Sequence, residues 1–240
     1  FGIGVSFKPT GSLEMYGNIS QNYRAINFND IRINNPNIII DPNIQDERGF
    51  SADIGGRGSI AQGKIQFDAS VFYLRYNDRI GLLLRSDQPP LFLDYRYRTN
   101  ISDARNIGIE SFVESELMRW FRPKSTFSLN VFTNFSLIDA RYVNTDEPSI
   151  RGRQVELVPA IMVRSGISYV GKKWKATYQF NYTARQFTDA TNAIRSSSAV
   201  NGVIPAYQIM DFSTSYQLNR RLVLEASVNN LMNTAYFTRR

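Results

Sequence analysis

Hydrophobic and polar residues alternate along most of this chain with a period of two, the period of a pleated strand with two unlike faces. The cleanest run begins at Trp174. Trp174, Ala176, Tyr178, Phe180, Tyr182 and Ala184 share one parity, and Lys175, Thr177, Gln179, Asn181, Thr183 and Arg185 share the other. A second clear run has Leu222, Leu224, Ala226 and Val228 against Val223, Glu225, Ser227 and Asn229, after a polar turn at Asn219-Arg220-Arg221. The same pattern makes hairpins of Phe1–Phe7 with Leu13–Ile19 and of Phe50–Arg57 with Ile65–Tyr73. Ile107–Leu117 pairs likewise with Phe127–Leu137, and Ile161–Tyr169 with the run from Trp174. Short turns at Pro9, Gln62, Phe121, Lys172 and Asn219 close these hairpins.

The connections between hairpins are long and polar: Asn29–Glu47, Asp78–Arg105, Asn144–Gln154 and Ala190–Val203. Within the second, Gln88-Pro89-Pro90 stands between two apolar runs, which predicts a small hairpin of its own. Short turn and long loop thus alternate strictly. The strands run to about 10–16 residues, against the usual ~5–6 of soluble sheets. Long strands with short turns at one end and long loops at the other are the pattern of bacterial outer-membrane barrels. A soluble sandwich rarely gathers all its long connections at one end, and a solenoid repeats with a constant period, which these hairpins do not. The predicted fold class is therefore all-β, a transmembrane antiparallel β-barrel wall of about ten strands. Trp174, Tyr178, Phe180 and Tyr182 are its expected lipid-facing residues. Trp174 and Tyr182, eight residues and so roughly 26 Å apart along the strand, belong at opposite interfaces.

Composition changes this picture little. The 42% hydrophobic content is ordinary, and a barrel strand hides its membrane character because only alternate residues meet lipid. The longest stretch without charged or polar side chains, Leu157–Val163, is far short of the ~20 residues of a membrane helix. Cysteine and histidine are both absent, which removes disulfides and every Ser-His, Cys-His and His-metal constellation. No arrangement of carboxylates or lysines replaces them, so no catalytic residues, resident metal or covalent cofactor is expected. The net charge of +7 suits an anionic lipid or ligand. Nucleic acid is not an expected partner, since no basic helix or recognition module is present.

Particular segments carry a family resemblance. The end of the chain, Tyr207-x-x-x-Asp211-x-Ser213-x-Ser215-Tyr216 and then Val228-Asn229-Asn230-Leu231-x-Asn233-x-x-Tyr236-Phe237, resembles the penultimate strands of TonB-dependent outer-membrane receptors. Asn106-Ile107-Gly108-Ile109-Glu110, Gln186–Asn192 and Gly202–Tyr207 resemble the ferric-dicitrate and related siderophore receptors within that family. The resemblance covers essentially the whole chain and implies part of a 22-stranded barrel, roughly strands twelve to twenty-one. Such receptors carry a signal peptide, a TonB box and a plug domain, and none is visible in these residues. They also close on a strand with an aromatic last residue. The expectation is the C-terminal part of a barrel over residues 1–240, with its tenth strand climbing toward Arg240 and one further strand missing.

The resemblance implies a bacterial outer-membrane receptor for a ferric chelate, a ferric siderophore with ferric citrate as a candidate, coupled to the TonB complex. A passive porin-like channel and an adhesin or structural barrel are the alternatives. Ferric citrate and most ferric siderophores are anionic, so arginines would hold them through charge-assisted hydrogen bonds. The candidates are Arg79, Arg85, Arg96, Arg98, Arg151 and Arg153 in the loops, and Arg185 at the loop end of the polar parity. The other use of such arginines is to bind lipopolysaccharide phosphates or to keep the surface solvated. Outer-membrane lipid and lipopolysaccharide are the expected surroundings.

Overall fold

A computed structural model describes residues 1–32, 37–145, 147–194 and 202–238. Residues 195–201 of the last long loop and the Arg239-Arg240 pair lie outside the described residues. The strands are β1 (Gly2–Thr10), β2 (Leu13–Arg24), β3 (Ile38–Ile40), β4 (Glu47–Ile60), β5 (Ile65–Arg85), β6 (Tyr95–Glu116) and β7 (Ser128–Asn144). They continue as β8 (Ile161–Val170), β9 (Trp174–Thr183), β10 (Gln186–Phe187), β11 (Val203–Ile204), β12 (Tyr207–Gln217) and β13 (Val223–Val228). One-turn helices α1 (Phe28–Ile31) and α2 (Met118–Phe121) sit in the connections after β2 and β6. All these strands but β10 and β11 form one sheet; β3 joins it off the main path, parallel to β6, and the others follow in the order of the chain, each antiparallel to its neighbours.

The register carries the alternation across the whole sheet. Ile54 stands opposite Val71, Val71 opposite Ile109, Ile109 opposite Leu137, and Leu137 opposite Ile161. Farther along, Ile167 faces Tyr178, Tyr178 faces Phe212, and Phe212 faces Val228. Directly opposite residues share a face, so these make one continuous apolar surface. The other face carries Glu14, Asp53, Asp68, Glu110, Gln179 and Asp211. It is knit together by bonds such as Tyr16 Oη to Asp68 at 2.8 Å and Arg57 to Glu14 at 3.2 Å.

Large apolar side chains stay uncovered on the first face, with Ile54 65% and Val5 68% exposed. A soluble protein buries such residues, whereas a barrel wall turns them to lipid. Aromatic rings mark both rims of this face. On the turn side Phe127, Tyr169 and Trp174 lie in a chain with centroids 5.4 and 6.3 Å apart, and Tyr216 stands opposite Trp174. On the loop side Phe50 and Tyr73 lie 5.6 Å apart. Tyr182 stands at the loop end of β9, opposite Val163. The spacing and placement match the two aromatic girdles of a membrane barrel.

Two sequence expectations need correction. Asp78–Arg105 is not a loop holding a separate hairpin, because β5 and β6 run on through it and keep pairing from Arg79↔Ser102 to Arg85↔Tyr95. The reason is a register shift between Tyr76 and Ile80, where Asp78 takes a left-handed φ of 55°. The shift changes the phase of the alternation, so the strand reads as if it had ended. The tenth strand also stops earlier than expected, at Val228. Beyond it the Asn229-Asn230-Leu231 motif forms a turn, with Asn230 and Asn233 at φ of 54° and 49°. The Asn230 side chain accepts from the Thr234 amide and donates to the Thr234 carbonyl, which satisfies the backbone without a ladder. The chain still climbs, since Tyr236 stacks on Tyr207 at 5.0 Å.

Candidate ligand-binding mouth at the loop end

The fully buried residues gather at the loop end of the sheet rather than in the membrane band. Strands β5, β6 and β7, of 21, 22 and 17 residues, extend beyond the aromatic rim there. The connection from β7 to β8 folds back on β7, with the Tyr142 amide donating to Arg153 at 3.0 Å and the Val155 amide to Ala140 at 3.1 Å. It packs Ile150 and Val155 against Ala104, Ala140 and Tyr142. Ala140 and Tyr142 continue the inward parity of Ser136, and Ala104 stands opposite Tyr142. The loop therefore covers the inner face and narrows the mouth of the barrel.

A second loop locks onto this one, and a third docks on β6. Residues 186–194 join the folded-back loop through Asn192, which accepts from the Gln154 amide and donates to its carbonyl, both at 2.8 Å. Strands β10 and β11 close the base of that excursion. The connection from β2 to β4 crosses to β6, whose edge beyond β7 is open, and β3 pairs there in parallel. Asn100 holds it by bonding the backbone of Gln45 in both directions.

Charge pairs fix these crossings. Arg24 makes two 2.8 Å bonds to Asp30 and one to Glu47, and Arg98 reaches Asp30 at 3.4 Å. Asp30 and Glu47 are almost wholly buried, and Glu47 also accepts from the Ile80 amide. A second cluster joins Arg79, Glu156 and Tyr142. The Arg79–Glu156 ion pair is 3.6 Å, and the Tyr142 hydroxyl donates to Glu156. Burial, followed by the negative Glu156, pushes the Tyr142 hydroxyl far above its ordinary pKa, so it remains a donor. A concavity lined by Asn22, Arg24, Glu47, Tyr76 and Arg79 opens between the two clusters.

The predicted arginines divide accordingly. Arg79 and Arg98 belong to the buried clusters, and Arg85 pairs with Glu147 at 2.8 Å and lies over the Tyr97 ring at 4.8 Å. Arg96 lies beside them on β6, its backbone bridged to Ile38. Arg151 and Arg153 stand exposed on the folded-back loop, and Arg185 stands exposed just past β9. The sequence points to Arg79, Arg85, Arg96 and Arg98 in this layer but not to Arg24, nor to the partners Asp30, Glu47, Tyr142, Glu147 and Glu156. The available signal was that the same loops carry acids beside their arginines. Trp174, Tyr178, Phe180 and Tyr182 all lie on the apolar face, away from this mouth.

Comparison with known proteins agrees with this architecture. The family model for the TonB dependent receptor-like β-barrel matches residues 1–231. The probable TonB-dependent siderophore receptor PiuA of Acinetobacter baumannii is 21% identical over 98% of this chain, which spans 30% of that protein. Among solved structures, the ferric citrate transporter FecA in its unliganded form superposes with a TM-score of 0.75 at 17% identity, over 98% of this chain and 33% of its own. The copper transporter OprC superposes with a TM-score of 0.70 at 17% identity, over 98% of this chain and 34% of its own. This chain thus spans about a third of the length of the proteins it resembles. It belongs to the TonB-dependent receptor-like β-barrel family.

Proposed function

We propose that this chain forms part of the wall and outer mouth of a bacterial outer-membrane receptor that imports an anionic ferric siderophore, with ferric citrate the first candidate. Energy would come through the TonB complex, and the cargo would pass without covalent chemistry. The observation that carries this reading is the inward-folded loop layer. That layer carries exposed Arg151 and Arg153, exposed Arg185 follows β9 at the same end of the sheet, and ion pairs hold the crossings of the loops. Several donors on one rigid layer suit a multiply charged chelate, because they replace its hydration together. A curated relative named for siderophores and a structural neighbour named for ferric citrate support the class. The copper transporter of the same fold means that the wall alone does not choose the cargo.

The test is binding of ferric citrate and a set of ferric siderophores to the full-length gene product at low and moderate salt. A single arginine change should weaken binding by ~1 kcal/mol or less, as for exposed screened charges. R151A/R153A/R185A should weaken it far more and flatten its salt dependence. Unchanged affinity in the triple variant would remove these residues from the site. Uptake that persists without the TonB complex would favour the passive channel.

A further inference from the structure

A row of arginines crosses the opposite face of the wall. Arg75 on β5 stands directly opposite Arg105 on β6, and Arg105 directly opposite Arg141 on β7. All three have the parity of Val71, Ile109 and Leu137, so they point outward from the barrel, not into the mouth. They lie one step beyond Tyr73 and Ile107, at the loop-side edge of the apolar band and beside the Phe50–Tyr73 ring pair. Apolar band, aromatic rim and cation row therefore follow in the order of acyl chain, interface and headgroup.

Like charges directly opposite on neighbouring strands repel. Two aspartates offset this only in part. Asp139 pairs with Arg141 at 2.7 Å and with Arg105 at 3.7 Å, and Asp103 pairs with Arg75 at 3.0 Å. Three guanidinium groups thus meet two carboxylates, and the arginine side chains remain 35%, 46% and 41% exposed. Arg75 also donates to the Asn77 side chain at 2.9 Å and Arg141 to the Gly152 carbonyl at 3.1 Å. A guanidinium has five N–H donors, so each keeps some to spare, and its planar fork matches phosphate oxygens. We propose that the Arg75–Arg105–Arg141 row is a docking surface for the phosphorylated headgroup of lipopolysaccharide in the outer leaflet. This rests on the outer-membrane placement proposed above, but not on the identity of the cargo.

The test uses the full-length gene product, purified in detergent and stripped of lipid. Thermal unfolding and the lipid retained in native mass spectra are measured with bisphosphorylated lipopolysaccharide, with its dephosphorylated form, and with inorganic phosphate. The wild type should be stabilised by the phosphorylated lipid and much less by the other two. R75Q/R105Q/R141Q should bind it on the order of 100-fold more weakly, at about fivefold for each cation lost next to an anionic leaflet. R164Q, which removes a cation from the inward face, should behave as wild type. Equal stabilisation of wild type by both lipids would overturn the proposal, and so would undiminished binding by the triple variant. Equal protection by inorganic phosphate would overturn the lipid as occupant. Should the triple variant fail to fold, the two lipids compared on wild type decide alone. Ferric chelate binding on the same samples reports separately on the mouth.

Discussion

The ring of Phe72 on β5 lies across the backbone of Gly108 on β6, so closely that a Cβ at Gly108 would stand 2.6 Å from it. The two are directly paired in register and both face inward. The same arrangement joins Tyr16 to Gly55 and Phe132 to Gly166, each ring atom 2.6 Å from the missing Cβ. An inward aromatic is thus seated where its neighbour on the next strand has no side chain, as in aromatic rescue of strand glycines. Gly108→Val should displace the Phe72 ring and press on the Leu137 carbonyl, costing about 1–3 kcal/mol as overpacking does. Unfolding of the full-length gene product in urea checks this. Gly108→Val combined with Phe72→Ala should recover part of the loss, and no recovery would separate the two residues.

The folded-back loop should depend on Glu156. Glu156→Gln takes the negative charge from Arg79 and weakens the acceptor for the Tyr142 hydroxyl. Hydrogen bonds to charged groups contribute about 1.5–3 kcal/mol, so local opening should become on the order of 10–100-fold more frequent. Hydrogen exchange at the amides of Tyr142, Gly152 and Val155 reads that opening. Unchanged exchange there would mean that Ile150 and Val155 hold the loop alone.

Acid should loosen a different crossing. The hydroxyl of Thr99, then the Asn43 amide, hold the Asp41 carboxyl below its ordinary value of 3.8. A depressed carboxylate stabilises fully above its unfolded pKa and loses that contribution as pH falls through the folded one. Exchange at the Asp41 amide, which donates to the Arg98 carbonyl, should therefore quicken below about pH 4. Asp41→Asn should remove most of that pH dependence. The same acid response in wild type and variant would assign it to other carboxylates.

The wall was legible in the sequence because each strand carries its own face assignment. Trp174 to Thr183 alternates without error, and the structure pairs it on both sides in the phase that the alternation implies. What escaped depends on a second strand or on a break in phase. Phe72 and Phe132 look misplaced on their polar parity until the glycines beside them are known. The left-handed Asp78 shifts the ladder, so Arg79 to Arg85 read as loop although they are strand. For the mouth, a lone sequence shows Arg79, Arg85 and Arg98 as charges available to a ligand. It does not show that Glu156, Glu147 and Asp30, distant in sequence, already hold them. The exposure of Arg151 and Arg153 goes with the fold-back of their loop, whose Ile150 and Val155 pack under Tyr142.

That one face of β9 meets lipid while the other does not is tested most directly by quenching in bilayers. Single cysteines at Lys175 through Tyr182 in the full-length gene product, each labelled with bimane, are reconstituted with nitroxide-bearing lipids. Quenching should alternate, strong at Ala176, Tyr178, Phe180 and Tyr182 and weak at Lys175, Thr177, Gln179 and Asn181. Equal quenching at Gln179 and Phe180 would contradict a lipid-facing wall built on this parity.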